Sequence, residues 1–447
     1  MDNNSINLKT HFDSIVVDSH NDTMMKIIDE ETWLPKTNIG ENTENHIDIP
    51  KLKKGGINVG LFAAFTDGYY NNTGRSLSRT LALLNALYWT ESKNKNLFKI
   101  ASSLEDIKKV ADEGKIVAVP TIEGGYSFDE NNSKELLKQY YDIGVKAIAF
   151  NWNYSNNLGE GASMTYNDPN ETTSPSGLTK LGEVVALEMN SLGMVIDVSH
   201  MSEKTFWDII NISRSPIIAS HSGVYSLREH RRNLKDDQLK ALAQNGGVVG
   251  IVLCQAFLTD TDKNPAYIKD FVDHIDYVVN LIGIDYVGIG SDFDGATIPE
   301  DIRDSSELYK ITEELIKRKY GKEDIEKILG KNILRVLKEV ENNAESIYKG
   351  NDKKLNIIPE FDMGEEIKDP YLLTSKIENL KEVEIDKKGS KIIIDGISHR
   401  GIYDMESSSF SLKIKEPLKE KFHIATFEVL YNKDKIERST RIFYVND

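Results

Sequence analysis

Eight short apolar runs recur through the first three quarters of the chain, with amphipathic helical patterns between them. Most runs are continuously apolar rather than alternating, which is typical of strands that are buried on both faces. The runs are Ile15–Asp18, Ile57–Phe65, Ile116–Thr121, Lys146–Phe150, Met194–Val198, Pro216–Ser220, Gly247–Leu253 and Tyr286–Gly290. An open doubly wound sheet uses similar pieces, but strand followed by helix, eight times over, favours a closed (β/α)₈ barrel of the TIM type.

The segments between these runs carry apolar residues at helical spacing. The clearest helical patterns are Leu77–Trp89, Leu136–Ile143, Leu178–Leu192, Lys204–Ile212 and Ala266–Leu281. Ser103 opens a capping box, and Ser202 is placed to cap the helix that follows His200.

The composition and periodicity of the sequence change after a helical stretch from Lys322 to about Tyr348. Residues 350–369 combine glycine, proline and charge with little periodicity, which predicts a linker or wrapping segment. Alternating runs then predict a small antiparallel β module. They are Glu382–Ile385, Lys391–Ile394, Phe410–Ile414, His423–Leu430 and Arg441–Val445. The predicted organisation is therefore a barrel over 1–349, a linker over 350–369 and a β module over 370–447.

Composition narrows the class of partner. The chain has 71 Asp and Glu against 55 Lys and Arg, a net charge of −16, which argues against nucleic acid or an anionic membrane as partner. The single cysteine, Cys254, excludes an internal disulfide. The first residues carry no apolar signal-peptide region, and the apolar runs are too short to cross a bilayer. We expect a cytoplasmic protein.

Histidines and carboxylates follow five of the eight predicted strands. They are Asp18, His20 and Asp22, then Glu123, then Asp197 and His200, then His221, and last Asp292 and Asp294. The carboxyl ends of barrel strands form the active site, so these side chains should converge. Each residue taken singly is more often a cap or a satisfied polar group. We expect Asp294 to shape the turn after Asp292, but the other residues together form the ligand set of Zn²⁺ or a similar ion, and they predict a metal site.

The same segments carry a family resemblance. The motifs are VDSHND at 17–22, EGG at 123–125, DVSH at 197–200, SHS at 220–222, RRNL at 231–234 and GSDFDG at 290–295. In this order they resemble the renal (membrane) dipeptidases, zinc enzymes of the amidohydrolase superfamily that are built on a (β/α)₈ barrel. The resemblance spans about residues 10–345 and does not cover the β module.

The resemblance implies a role for each matching residue. His20, Asp22 and Glu123 would bind one zinc ion, and Glu123 would bridge to a second ion held by His200 and His221. Arg232 would receive the free carboxylate of a dipeptide, and Asp292 would handle the proton. The implied reaction is hydrolysis of free dipeptides by a metal-bridging hydroxide, with tolerance of a D-residue at the C-terminal position. Trp152 stands where animal members carry a substrate-contacting histidine, and we predict that it contacts the substrate.

Two other functions are compatible with the same barrel. Another amidohydrolase, acting on a lactone, a cyclic amide or a phosphoester, would keep the metal ligands but would not need Arg232. A non-catalytic metal- or ligand-binding protein would keep the pocket alone. Arg232 itself could instead belong to a surface pair with Arg231. For the β module we predict a role in docking or in oligomerisation, and in the second case the protein would be a homo-oligomer.

Overall fold

The predicted barrel is present in the computed structural model, which describes residues 3–162, 176–345, 355–369, 371–379, 383–418 and 421–446. The barrel and its flank use nine parallel strands. They are β1 (Val16–Asn21), β2 (Ile57–Phe65), β3 (Phe98–Ile100), β4 (Ile116–Glu123), β5 (Ala147–Ala149), β6 (Val195–Asp197), β7 (Ile218–Ser222), β8 (Val248–Val252) and β9 (Val287–Gly290). The order is β2-β1-β9-β8-β7-β6-β5-β4, and pairing of β4 with β2 closes the ring.

Strand β3 is a ninth strand that was not predicted from the sequence. It pairs with the amino-terminal part of β4, at Ile116 to Ala118, whereas β5 pairs with the carboxyl end of β4, at Thr121 to Glu123. Eight strands therefore form the barrel itself, and the predicted fold is confirmed.

The helices surround this barrel. They are α1 (Asn3–Asp13), α2 (Met24–Ile27), α3 (Ile49–Lys54), α4 (Gly68–Thr73), α5 (Ser76–Lys93), α6 (Leu104–Asp112), α7 (Ser133–Asp142), α8 (Lys180–Leu192), α9 (Glu203–Ile212), α10 (Asp236–Gln244), α11 (Gln255–Leu258), α12 (Ile268–Ile282), α13 (Tyr309–Lys317), α14 (Lys322–Glu326) and α15 (Asn332–Asn343). The side chains of Ser103 and Ser202 cap α6 and α9, as predicted. Among the described helices, none has the length and apolar composition that a membrane crossing needs.

One predicted helix is divided. The pattern over Lys322–Tyr348 forms α14 and α15, which a π-helical turn at Lys327–Lys331 joins. Residues 346–348 of that prediction lie outside the described residues.

The barrel interior changes from apolar to polar along its axis. Valines and isoleucines of the strands, among them Val17 and Val248, pack in one buried cluster with Ile333 and Leu337 of α15. Small residues lie nearer the site, where a Cβ atom on Gly290 would lie 1.8 Å from the carbonyl oxygen of Ser220. The strands therefore approach closely just below the functional side chains.

The C-terminal region forms two further sheets. One has the order β10 (Leu355–Pro359), β12 (Leu372–Asn379), β16 (Ser409–Lys413), β15 (Ile402–Asp404). The other has the order β11 (Glu365–Glu366), β18 (Lys435–Tyr444), β17 (Phe422–Tyr431), β13 (Ile385–Ile394), β14 (Ile397–His399). The predicted antiparallel module is present, although β11 and β18 pair in parallel.

Two predictions about this region are corrected. The segment 350–369 is not wholly a linker, because β10 and β11 lie within it and pair with strands of the module. The runs Glu382–Ile385 and Lys391–Ile394 do not form separate strands. Strand β13 begins at Ile385 and continues through Lys391–Ile394, with an irregular register between Asp386 and Lys391 in its pairing with β17, and residue 382 lies outside the described residues.

The module packs on α5 and α7 of the barrel. Phe422, Ile424 and Ile442 belong to the same buried cluster as the barrel helices. The backbone N–H of Phe422 also donates to the Ser78 hydroxyl at 2.7 Å. The module and the barrel therefore share part of a core, and the other buried apolar residues of the module form a cluster of their own.

Candidate active site

The carboxyl ends of five strands bring the predicted metal ligands together. Ligand atoms of His20, Glu123 and His221 lie within 4.8 Å of one another, and so do those of His20, Asp22 and Asp292. His20, Asp22, Glu123 and His221 are buried residues. Two overlapping ligand groups therefore share His20.

Glu123 lies at the centre of the cluster. Its Oε1 is 2.8 Å from His200 Nε2 and 3.5 Å from His221 Nε2, and its Oε2 is 3.3 Å from His20 Nε2. The two oxygens thus face different histidines, which is the arrangement that a bridging carboxylate needs.

Several ligand atoms lack partners. Among the described residues, His20 Nε2, Asp22 Oδ1 and Glu123 Oε2 are buried without a hydrogen bond. His200 Nε2 lies only 2.8 Å from His221 Nε2. Buried polar atoms are normally satisfied, because leaving one unpaired costs about 1–3 kcal/mol. Imidazole nitrogens and carboxylate oxygens that converge in this way fit a divalent metal such as zinc.

Burial and mutual repulsion shift the pKa values of the carboxyl groups. Burial and then the negative Glu123 raise the pKa of Asp22 to about 6. Burial and then Asp22 raise the pKa of Asp292 well above its usual value. Burial lowers the pKa values of His200 and His221, which favours neutral imidazoles that can bind a cation.

Arg232 is buried beside the cluster, with 5% of its surface exposed. Its Nη2 donates to the carbonyl oxygen of His221 at 3.0 Å, and its guanidinium lies 5.4 Å from the centre of the Phe257 ring. Its Nε has no hydrogen-bond partner among the described residues. The alternative interpretation of Arg232 as part of a surface pair is therefore wrong, whereas the neighbouring Arg231 is exposed.

Trp152 lies at the edge of the cluster and is partly exposed. Its ring is tilted over His200 with a centroid distance of 6.1 Å, and it meets Phe65 edge-on at 5.1 Å. The indole therefore provides an apolar wall next to the histidines.

Sequence comparison agrees with this geometry. A sequence model of the membrane dipeptidase family (peptidase family M19) matches residues 7–350. The chain belongs to this family. An uncharacterised dipeptidase of Schizosaccharomyces pombe is 32% identical over 349 residues, which is 75% of this chain and 82% of that protein.

Solved structures of the family are also similar. A metallopeptidase from Rhodobacter sphaeroides, solved with a phosphinate mimic of the dipeptide L-Ala-D-Ala, superposes with a TM-score of 0.64 and 25% identity, over 73% of this chain and 99% of that one. The probable dipeptidase PvdM from Pseudomonas aeruginosa has a TM-score of 0.67 and 25% identity, over 76% and 98% of the two chains. As a member of this family, the chain is a hydrolase of the metallo-dipeptidase type.

The dipeptidase site is held by unusual backbone. His200 and Asp292 have φ values of +67° and +59°, a region that non-glycine residues adopt only in a minority of cases. The N–H of Asp292 donates to the carbonyl oxygen of His20 at 3.0 Å. A Cβ atom on Gly295 would lie 2.0 Å from Asp22 Oδ2, so glycine is needed where this loop passes the carboxylates.

Some residues of the family motifs stabilise the loop after β9 and are not part of the ligand cluster. Asp294 accepts hydrogen bonds from the Thr23 hydroxyl at 2.8 Å and from the N–H of His46 at 2.6 Å. From the sequence, Asp197 counted only among the carboxylates at strand ends and Ser220 had no predicted role, although both lie within the family motifs. The structure connects them to His221 by hydrogen bonds. Motif position alone does not reveal such a connection between strands.

Proposed function

We propose that this protein is a binuclear zinc dipeptidase that cleaves free dipeptides and tolerates a D-residue at the C-terminal position. The observation that carries the proposal is the position of Glu123, whose two carboxylate oxygens face His200 and His221 on one side and His20 on the other. The ligand atoms without a hydrogen bond support a cation site on the His20 side, and the approach of His200 Nε2 to His221 Nε2 at 2.8 Å supports one on the other side.

The ligands divide into two groups in this proposal. His20, Asp22 and Glu123 would hold one ion, and Glu123, His200 and His221 would hold the other. Zinc supplies Lewis acidity: it lowers the pKa of water towards neutrality and polarises a carbonyl group. The neutral state that burial favours in His200 and His221 suits them to this role.

Asp292 is the proposed proton carrier. Burial and the neighbouring Asp22 raise its pKa, so its carboxyl group can hold a proton at a pH where an exposed aspartate cannot. It would take the proton of the attacking water and return it to the leaving amine. Its place among the ligand atoms of His20 and Asp22 also allows a contact with an ion, which the Asp292 variant described in the Discussion tests.

Arg232 and Trp152 are the proposed substrate contacts. The Arg232 guanidinium is buried and its Nε is unpaired among the described residues, so a substrate carboxylate can bind there through charge-assisted hydrogen bonds. Trp152 would line the apolar side of the substrate. The phosphinate mimic of L-Ala-D-Ala bound to the Rhodobacter relative supports a dipeptide substrate with a C-terminal D-residue.

Replacement of Arg232 tests the dipeptide assignment directly. Loss of one partner of a buried charge pair costs about 2–5 kcal/mol. Arg232→Ala should therefore lower kcat/KM for a free dipeptide by roughly 30-fold or more, at about tenfold per 1.4 kcal/mol. Arg232→Lys should restore only part of the loss, because an ammonium group cannot make a two-pronged contact.

The matched control is Arg231→Ala, which removes an exposed arginine at the next position. We expect nearly unchanged kcat/KM for this variant, and little effect of Arg232→Ala on an amidated dipeptide. Equal losses on free and amidated substrates would contradict the dipeptidase proposal and favour another amidohydrolase activity. Hydrolysis of neither substrate by a metal-loaded wild type would favour a non-catalytic binding protein.

The sequence-based predictions of a cytoplasmic location and of a homo-oligomer stay predictions. Fractionation of cells and light scattering of the purified protein test them.

A further inference from the structure

We propose that Asp197 and Ser220 form a two-residue relay that fixes the orientation and the tautomer of His221. They would be positioning residues, since neither is among the ligand groups described above. This inference rests on the proposed function, because it assigns the relay to the metal ion that His200 and His221 would share.

The first step of the relay is the attachment of Asp197. This side chain is buried at the end of β6, and its Oδ1 accepts hydrogen bonds from the N–H groups of Ser199 and Ser220, each at 3.0 Å. Its Oδ2 accepts a short hydrogen bond from the Ser220 hydroxyl. Three donors thus hold one carboxylate, so its position is fixed.

The second step is the direction of the hydrogen bonds. A serine hydroxyl has one hydrogen, and Ser220 gives it to Asp197, which as a carboxylate can only accept. The Ser220 oxygen lies 2.9 Å from His221 Nδ1 and must therefore accept the Nδ1–H. The neutral ring then has its lone pair on Nε2, the atom that faces Glu123 Oε1.

The backbone around the relay leaves it little freedom. The Ser19 hydroxyl donates to the Ser220 carbonyl oxygen at 2.6 Å, and the His221 N–H donates to the Ser199 hydroxyl at 3.2 Å. A Cβ atom on Gly250 would lie 2.2 Å from the same Ser220 carbonyl oxygen. Neighbouring strands therefore enclose Ser220 on the barrel interior.

A second carboxylate–serine pair in the barrel provides a matched control. Asp18 accepts hydrogen bonds from the N–H and the hydroxyl of Ser291, both at 2.8 Å. The Ser291 hydroxyl is also 3.2 Å from the carbonyl oxygen of His20, and among the described contacts it meets no imidazole nitrogen. The two pairs share their local geometry, but only Ser220 connects to a ligand side chain among the described contacts.

If the relay orients His221, its removal should lower the affinity for one metal ion much more than for the other. Groups that orient a ligating histidine typically change metal affinity by about 10–100-fold when they are removed. Ser220→Ala and Asp197→Asn should weaken binding of one ion by this factor and leave the ion of His20 and Asp22 nearly unchanged. In Asp197→Asn the new amide can donate to the Ser220 oxygen, so the serine hydrogen loses its acceptor while the backbone contacts of Oδ1 remain.

The experiment measures the zinc content of the full-length protein after equilibration with a graded series of a competing chelator. We expect wild type and Ser291→Ala to lose zinc along similar curves. Ser220→Ala and Asp197→Asn should release one of two ions at roughly 10–100-fold lower chelator strength. Ser220→Thr, which keeps the hydroxyl, should move the curve back towards wild type.

The outcomes separate the relay from the function it rests on. Curves of Ser220→Ala and Asp197→Asn that coincide with that of wild type would overturn the relay, whatever the dipeptidase activity. Equally weakened zinc binding in Ser291→Ala would also overturn the relay, since loss of any buried serine hydroxyl would then lower zinc affinity. A wild type that binds fewer than two ions would instead overturn the binuclear proposal. Because the experiment measures zinc content and not activity, it tests the relay even if the protein cleaves no dipeptide.

Discussion

Two polar clusters of this protein are built in opposite ways. The first, at the carboxyl end of the barrel, gathers Asp22, Glu123 and Asp292 around histidines. Burial and repulsion among the acids raise the pKa values of both aspartates. The second lies where the β module meets α7, and there charges of opposite sign are paired.

The cluster at the module combines Arg438 and Lys391 with three carboxylates. Arg438 donates to Asp142 at 2.7 Å and also to Glu428, and Lys391 pairs with Glu135 at 3.0 Å. The surrounding acids raise the pKa of Arg438 in spite of its burial, which itself lowers that pKa. These charges compensate one another within the chain.

Whether the charges of a cluster attract or repel one another distinguishes a structural cluster from a functional one. Buried charges that compensate each other connect elements of the fold, and removing one partner destabilises the protein. Buried ligands that repel each other destabilise the fold unless a cation binds, so their presence indicates a binding function. We infer from the compensated cluster and the shared core that barrel and module fold together.

Removal of a glutamate from each cluster should give the largest contrast. Glu123→Ala removes the proposed bridge, so both ions should be lost and kcat/KM should fall by about 10³-fold or more, equivalent to several kcal/mol. Its matched control, Glu135→Ala, should keep the metal and the activity and lower only the melting temperature. Zinc analysis, dipeptide hydrolysis and thermal unfolding measure these effects. Two tightly bound ions in Glu123→Ala would contradict the bridging role.

A smaller effect is expected when one charge is removed from the site without changing its shape. Asp292→Asn should reduce kcat by on the order of 10²-fold, the usual contribution of a positioned general base, with metal content nearly intact. Since the carboxylate is repelled by Asp22, the neutral amide should leave the melting temperature unchanged or higher.

Asp294→Asn, two residues further along, serves as the control for this loop. Its carboxylate accepts from Thr23 and from the backbone of His46, so the variant should lower stability with little loss of kcat. Loss of metal in Asp292→Asn would make Asp292 a ligand and would leave the proton without its proposed carrier.

The sequence predicted the two regions unequally well, for physical reasons. Barrel strands are buried on both faces and read as continuous apolar runs, so their order and the convergence of ligands at their ends followed directly. The module strand β13 contains Asp386 and Lys387 on an exposed stretch, which resembles a turn, and only its pairing with β17 makes it one strand. The short β3 carried no comparable signal.

Within the site, residue types could be predicted but connections could not. His20, Glu123 and His221 stood out because imidazole and carboxylate follow strands in a barrel. The burial of Arg232 and the hydrogen bonds from Asp197 through Ser220 depend on how neighbouring strands approach, which a linear sequence does not show.

The smallest expected effect comes from a single uncharged residue between the two regions. Gln139 of α7 is fully buried, and its amide donates to the carbonyl oxygens of Ile393 and Ile424 while its Oε1 accepts from the N–H of Gly396 at 2.7 Å. Gln139→Ala leaves the N–H of Gly396 without this acceptor, so the free energy of unfolding should fall by about 1–3 kcal/mol. Zinc content and kcat should not change, since these contacts lie outside the ligand groups. Thermal and urea unfolding measure the loss, with Lys134→Ala on the exposed face of α7 as a control without effect. Equal stability of Gln139→Ala and wild type would show that the module adds little to the barrel, and a fall in kcat would show that the two clusters are coupled.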